Sequence, residues 1–482
     1  MGQIAIFVAA AAIGLGAITP AAQGQTVTLT GLSNDIKITG ELVEFDGENY
    51  VVESDVGQLE LSVLGVTCAG AACPEPGSIV SRFALAGMEA APGLGEALMT
   101  GFAMALGAET TQSESLITVT ARGQTLAEIT LLRPADLTEG DAAPAATLLM
   151  ADGPGAGMTV AVDALVAAVS PSNPVDTVRA RDLRRVVAGA ATNWRAVGAG
   201  DVPINLHGAP QTAGFAALAA RLGLTVTPGL AAVDHARVID AADAVSTDPF
   251  GMALLPLSQL RGAKPLAQRG SCGLVTAPTA FAVQTGQWPG ALSIRVEQSD
   301  SDLPIFAREF LAFLGTDLAA RIVTANGYLS AGLVDRSVNE AGQRVINAVL
   351  AAKTGRMDDL RALLDTISGA AQLSTVFRFS PGTRDLDAAS LRAADVLVDA
   401  LSLGVFGDKE ITLIGFADDG TGAQSANAVQ DALLARDEDG LLTSMRITTQ
   451  GIADLAPLVC IDTPGADAIN TRVEVWVRDP VD

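Results

Sequence analysis

Few side chains in this sequence are placed to do covalent chemistry. The two histidines, His207 and His235, have no metal-ligand spacing around them, and no Gly-x-Ser-x-Gly elbow presents a nucleophile. Gly153-Pro-Gly155-Ala-Gly157 lacks the preceding strand and following helix that a dinucleotide loop requires. The acidic pairs Asp358-Asp359 and Asp418-Asp419 read as solvated faces rather than acid/base dyads. The expectation is a protein that is not an enzyme and uses no metal and no cofactor. What remains is binding chemistry. Ala209-Pro210-Gln211-Thr212-Ala213-Gly214-Phe215 opens a helix. Thr212 stands there as an N-cap, at a helix end whose bare N–H groups favour an anion.

That turn needs rigid elements to hold it. An apolar run over 160–169 has the length and β-branched content of a strand buried on both faces. Ser170-Pro-Ser-Asn173-Pro174 ends it, and a basic amphipathic helix over 179–188 stops at Gly189. Asn193-Trp194 and a polar turn lead to a short strand over 203–207 and then to the helix beginning near Gln211. Strand–helix–strand–helix order implies α/β layers. Upstream, 79–86 reads as a strand broken by Gly87, 94–106 as a helix with Leu94, Leu98, Phe102 and Leu106 on one face, and 116–132 as two strands. Downstream, 274–283 is expected to be a strand, with closing helices over 306–314 and 319–323.

The ordered set of strand, Asn173-Pro174, helix, Asn193-Trp194, Val197-Gly198, Pro203-Ile204 strand and helix-opening turn resembles the phosphate-type periplasmic solute-binding proteins of ABC transporters. Gly251-Met-Ala-Leu-Leu-Pro-Leu257 and the helix 303–314 extend the resemblance, which spans about 77–335. It implies a two-lobed type II periplasmic-binding-protein-like domain, with lobe one over 77–160 and 275–335 and lobe two over 161–274. It also implies a small-molecule ligand, phosphate or another oxyanion, and an ABC transporter permease as partner. The ligand residues it implies are Gly87 in lobe one and Gln211, Thr212 and Gly214 in lobe two, with His207 and Asn173 pointing toward the cleft. The sequence departs from the family pattern in three ways. Gly87-Met-Glu89-Ala-Ala-Pro92 offers no hydroxyl and carries an acid that repels anions. No Arg follows Gly214. The stretch 148–154, where relatives carry an acidic residue and a specificity Arg, has neither at the matching place.

From Leu373 the chain changes character, with a β-α-β-α-β-β order, Gly415-Phe-Ala-Asp418 after the second strand, and Asn470-Thr-Arg472-Val-Glu474-Val-Trp476 at the end. This resembles the OmpA-like peptidoglycan-binding domain. The resemblance implies an α+β domain over 372–482, peptidoglycan as partner, and Asp418, Asp419, Asn427 and Arg472 as binding residues. In relatives a helix Arg completes the grip. Counting from Asn427 that position is Leu434, and Arg436 lies two residues later, about 200° around a helix of 3.6 residues per turn. Residues 336–371 read as a helical linker with a weak core face.

Length and charge set outer limits. The 482 residues, 49% of them hydrophobic, suffice for about three domains with proper cores. A net charge of −24 excludes nucleic acid as a partner, because a phosphate backbone would be repelled. Residues 1–24 read as a signal peptide, with an apolar core over 4–18 and Ala22-Gln-Gly24 before the cut. The expected location is the periplasm, associated with the cell wall or outer membrane. Alternation over 26–64 gives a β module of about four strands within 25–76, with a hairpin at Asp46-Gly47. The module ends in Cys68-Ala-Gly-Ala-Ala-Cys73, which in an exported chain reads as a small local disulfide. Cys272 and Cys460 fall in different expected domains, and their pairing is open.

Overall fold

The computed structural model describes residues 26–133, 146–153, 155, 157–226, 233–299, 302–352, 355–380, 382–452 and 455–480; the expected signal peptide lies outside them. The fold class is α/β, as expected. The chain forms two compact units, one of 1–150 with 297–322 and one of 151–296 with 323–482.

In the first unit the N-terminal module is a five-stranded antiparallel sheet, ordered Gly57–Ser62, Asn49–Ser54, Lys37–Phe45, Thr26–Gly31 and Val66–Ala69. The fifth strand, beyond the expected four, carries Cys68, which is disulfide-bonded to Cys73. At the expected hairpin Asp46 accepts the N–H groups of Asn49 at 2.6 Å and Glu48 at 2.8 Å. These bonds hold its carboxyl below the usual range. The rest of the unit is a sheet ordered Thr147–Asp152, Ser81–Ala86, Gln124–Leu132, Leu116–Ala121 and Glu109–Gln112. Helix Leu94–Ala105 buries Leu94, Leu98 and Phe102, and Phe102 meets Phe306 of helix Ile305–Leu314 edge-on at 5.0 Å.

The second unit is built on the strand Met158–Val169, buried from Val160 onward, which explains its apolar run. Gly251–Pro256 and Ala291–Gln298 flank it antiparallel, and Asn205–Gly208 adds parallel to Gly251–Pro256. Helices Ala180–Val187 and Ala213–Leu222 cover this sheet through Leu183, Val187, Phe215 and Leu218, around Trp194. The expected strand over 274–283 is instead the two-residue strand Val275–Thr276 followed by helix Ala280–Gln284. Pro278 ends the extended run, and Thr279 caps the helix by accepting the Ala282 N–H at 3.2 Å. One acid lies within the long strand. Asp163 is 2% exposed and bonded by Ser258 Oγ at 2.6 Å and Ser258 N–H at 3.0 Å. Burial pushes its carboxyl up to about 6.

The C-terminal sheet is ordered Asp335–Ser337, Ala371–Phe377, Arg472–Arg478, Glu410–Phe416 and Ile447–Ile452. Helices Ala388–Ser402 and Gly422–Leu434 pack over Leu413, Val473 and Val475. Alternate strand residues face the other way, and there Ile414, Phe416 and Trp476 meet Leu360, Leu363 and Ile367. The stretch 336–371 is therefore not a linker: helices Gly342–Ala351 and Met357–Ile367 form the second layer of this domain. Their short apolar stripes read as a weak core only because their partner strands come much later in the chain. A disulfide joins Cys272 to Cys460, 188 positions apart.

Candidate functional site

The turn before helix Ala213–Leu222 is the place where sequence and geometry meet. Thr212 is the N-cap and accepts the Phe215 N–H at 3.3 Å. Its hydroxyl donates to Asp152 Oδ2, and the Gly214 N–H reaches both oxygens of Asp152 at 3.1 Å. A carboxylate of the chain itself thus sits where a helix start would hold an anion. A side chain at position 214 would overlap that carboxylate, since a Cβ there would lie 2.4 Å from Asp152 Cγ. This acid, Asp152, belongs to the stretch 148–154. It lies 60 positions from Thr212, a pairing that no local pattern could announce.

Gln211 donates through Nε2 to Leu254 O at 3.3 Å, while its buried Oε1 has no partner among the described residues. It borders a cavity of about 420 Å³ shared with His207, Asp234 and His235. The two histidines, remote in sequence, are stacked, with His207 Nδ1 3.1 Å from His235 Nε2. His207 Nε2 lies 3.2 Å from Asp248 Oδ2. Burial works against the Asp248 carboxylate, but bonds from Asn205, the Phe250 N–H and His207 outweigh it and leave the pKa lowered. Among the described residues no group of three or more His, Cys, Asp or Glu is placed to share a metal ion. Asn173 does not reach into a cleft. It is 4% exposed and ties its own loop, donating to Pro249 O at 2.8 Å and accepting the Val175 N–H at 2.9 Å.

Gly87 belongs to the first unit, and Gln211, Thr212 and Gly214 belong to the second. Its φ of +75° and the Met150 carbonyl, 2.1 Å from where a Cβ would be, require glycine for structural reasons. Its N–H is committed to Leu132 O at 3.3 Å.

In the C-terminal domain Asp418 and Asp419 are exposed after strand Glu410–Phe416, and Asn427 is exposed on helix Gly422–Leu434. Asp419 accepts from the Thr421 hydroxyl at 2.6 Å and N–H at 3.0 Å. These two bonds, with a smaller contribution from the Arg384 charge, hold its carboxyl below the usual range. Arg384, exposed on another loop, is a cation that motif matching passes over. Arg436 donates to Asp395 at 2.6 Å. Arg472 is placed in the interior instead of at a binding surface. It is 1% exposed, bonded to Glu474 at 2.6 Å, Asn470 O at 2.7 Å and Ala456 O at 3.0 Å, with its guanidinium 4.1 Å from the Phe416 ring centre. Burial alone would push the Glu474 carboxyl up, yet Arg344 and Arg472 together leave it lowered.

No family model matches the chain, and no curated protein matches it. Solved structures do. An ABC-type phosphate transport receptor from Vibrio cholerae is 14% identical over 52% of this chain and 99% of its own, with a TM-score of 0.38. A putative phosphate ABC transporter substrate-binding protein from Clostridium perfringens, solved with bound phosphate, is 13% identical over 52% of this chain and 100% of its own, also at 0.38. The cell wall anchor of the type VI secretion system (T6SS) from Pseudomonas aeruginosa is 19% identical over 26% of this chain and 94% of its own, at 0.20.

Proposed function

We propose that this is a non-catalytic binding and anchoring protein of a cell envelope, exported by residues 1–24. Its solute turn accepts a partly protonated oxyanion, and its C-terminal domain docks on the cell wall. The observation that carries the reading is the meeting of Asp152 with Thr212 Oγ1 and the Gly214 N–H. A fully ionised oxyanion arriving there faces a like charge and donors already in use. An oxyanion that keeps one O–H can donate it to the carboxylate and share those donors. Phosphate near neutral pH qualifies, and sulfate does not. A second reading is that the carboxylate closes the turn for good. It is favoured by the lack of any Lys or Arg within 209–215.

Calorimetry on the full chain separates the two. Phosphate binding without sulfate binding in the wild type, weakened in Thr212→Val and extended to sulfate in Asp152→Asn, supports the first reading. If Thr212→Val leaves phosphate binding intact, or neither anion binds in either the wild type or Asp152→Asn, the first reading fails. For the wall contact, exposed Asp419 with Arg384 supplies the two charges that a zwitterionic stem peptide pairs with. Retention on isolated sacculi is expected to drop in Asp419→Ala and in Arg384→Ala; retention equal to wild type in both would remove this domain's assigned role.

A further inference from the structure

The second unit contains another place suited to an anion, in this case one walled by cations. A cavity of about 510 Å³ lies beside the start of helix Ala180–Val187 and the paired strands Thr177–Arg179 and Ala267–Arg269, with 462–464 on its far rim. Arg179, Arg181, Arg184 and Arg269 line it. Arg181 has a carboxylate partner, Asp182, at 3.5 Å. Arg179, Arg184 and Arg269 have no side-chain hydrogen bond or ion pair among the described residues.

Three uncompensated cations in one pocket are anomalous in a chain with 54 acids against 30 bases. The spacing makes it sharper. Arg179 and Arg269 are direct partners in the strand ladder, and like charges set opposite each other on neighbouring strands are destabilising. The carboxylate in the lining, Asp462, is held by the Ser271 hydroxyl at 2.6 Å. Helix Ala180–Val187 also starts here, with Ala180 in the lining and an N-cap, Arg179, that supplies no side-chain acceptor. The helix end therefore adds its partial positive charge to that of the arginines. The far wall is fixed, because the Cys272–Cys460 disulfide ties the 270–273 turn to the segment before 462.

We propose that this cavity binds a small polyanion, with an organic diphosphate as the best-matched chemistry. Guanidinium forks pair bidentately with phosphate oxygens, and three of them on two strands and a helix call for more than one phosphate group. The volume is within the range of small-molecule sites, and Leu222, Leu224 and Pro289 give it an apolar side for an organic moiety. The site shares no residue with the Asp152–Thr212 turn and does not depend on the reading of that turn.

The test is calorimetry on the full chain at low ionic strength, with inorganic pyrophosphate, orthophosphate, citrate and uridine diphosphate as probes. Measured in Thr212→Val, so that the turn does not contribute, pyrophosphate and uridine diphosphate are expected to bind one per chain, at least about tenfold tighter than orthophosphate or citrate, and to weaken as salt is added. Arg179→Gln combined with Arg269→Gln is expected to weaken pyrophosphate by about thirtyfold or more, and Arg184→Gln by about tenfold, through loss of charge-assisted pairs. Arg179 and Arg269 are exposed, so their replacement leaves the core intact, and a ligand-free thermal midpoint no lower than that of wild type checks this. The absence of saturable heat with pyrophosphate, or wild-type affinity in the double variant, would overturn the proposal; so would citrate binding as tightly as pyrophosphate, which would argue against a diphosphate.

Discussion

The turn at Thr212 and the cavity at Arg179 lie in one compact unit and pose the same physical problem with opposite solutions. At the turn the helix N–H groups and a hydroxyl already hold a carboxylate, so the positive end of the helix is satisfied from within. At the cavity a helix start is joined by three arginines that have no ion-pair partner among the described residues. A helix terminus alone therefore says little about ligands. What matters is whether the rest of the chain has supplied the counter-charge. The Arg344–Glu474–Arg472 group is a third case, in which both signs are present and Glu474 and Arg472 are buried from water.

The largest effect is expected where that exclusion is complete. Glu474→Gln would leave the buried Arg472, and the half-buried Arg344 beside it, without a counter-charge, at a cost of about 3–5 kcal/mol. Urea unfolding of the full chain is expected to show an early transition for the C-terminal domain. A shift below about 1 kcal/mol would mean that the two arginines find water, and the contrast with the open cavity would collapse.

Asp163 tests burial without a cation. Its carboxyl is raised from 3.8 to about 6, so the folded state binds the proton more tightly than the unfolded chain. Its contribution to stability is complete below about pH 4 and is lost as pH rises through 6. Two units correspond to ~3 kcal/mol. Relative to wild type, Asp163→Asn is expected to gain stability between pH 4 and 6.5 by up to that amount, read from denaturation midpoints at each pH. A flat difference across the window would place the charge in contact with solvent.

At the turn, Asp152→Ala removes the acceptor of the Thr212 hydroxyl and the Gly214 N–H, a loss of ~1–2 kcal/mol. Added phosphate or sulfate should restore part of this by filling the vacated position, seen as a midpoint that rises with anion concentration. A variant indifferent to both anions would show that the helix end alone cannot hold one.

Much of this architecture was legible in the sequence because its signals are local. The run at 160–169, the Asp46-Gly47 hairpin and the Thr212 cap each lie within a few residues and reappear as strand, turn and cap. What was not legible depends on distant partners. Asp152 is matched to Thr212 across 60 positions, Cys272 to Cys460 across 188, and His207 to His235 across 28. Helices Gly342–Ala351 and Met357–Ile367 were mistaken for a linker for the same reason, since Ile414 and Trp476, which give their stripes a partner, come later. Arg472 was misplaced because an arginine in a strand reads as exposed until Glu474 and Phe416 are seen enclosing it.

The smallest expected effect has the opposite sign. In buffer free of multivalent anions, Arg269→Gln removes a like charge facing Arg179, and the thermal midpoint is expected to rise slightly, by a few tenths of a kcal/mol. With pyrophosphate present the order should invert, because wild type gains from a ligand bound only to its folded state while the variant has lost a pairing group. Such a crossing of two stability curves cannot come from a mere surface substitution, which would displace both by the same amount. Parallel curves would return the arginines to the role of solvated surface charge, and the difference between the two anion-facing places would then be one of crowding alone.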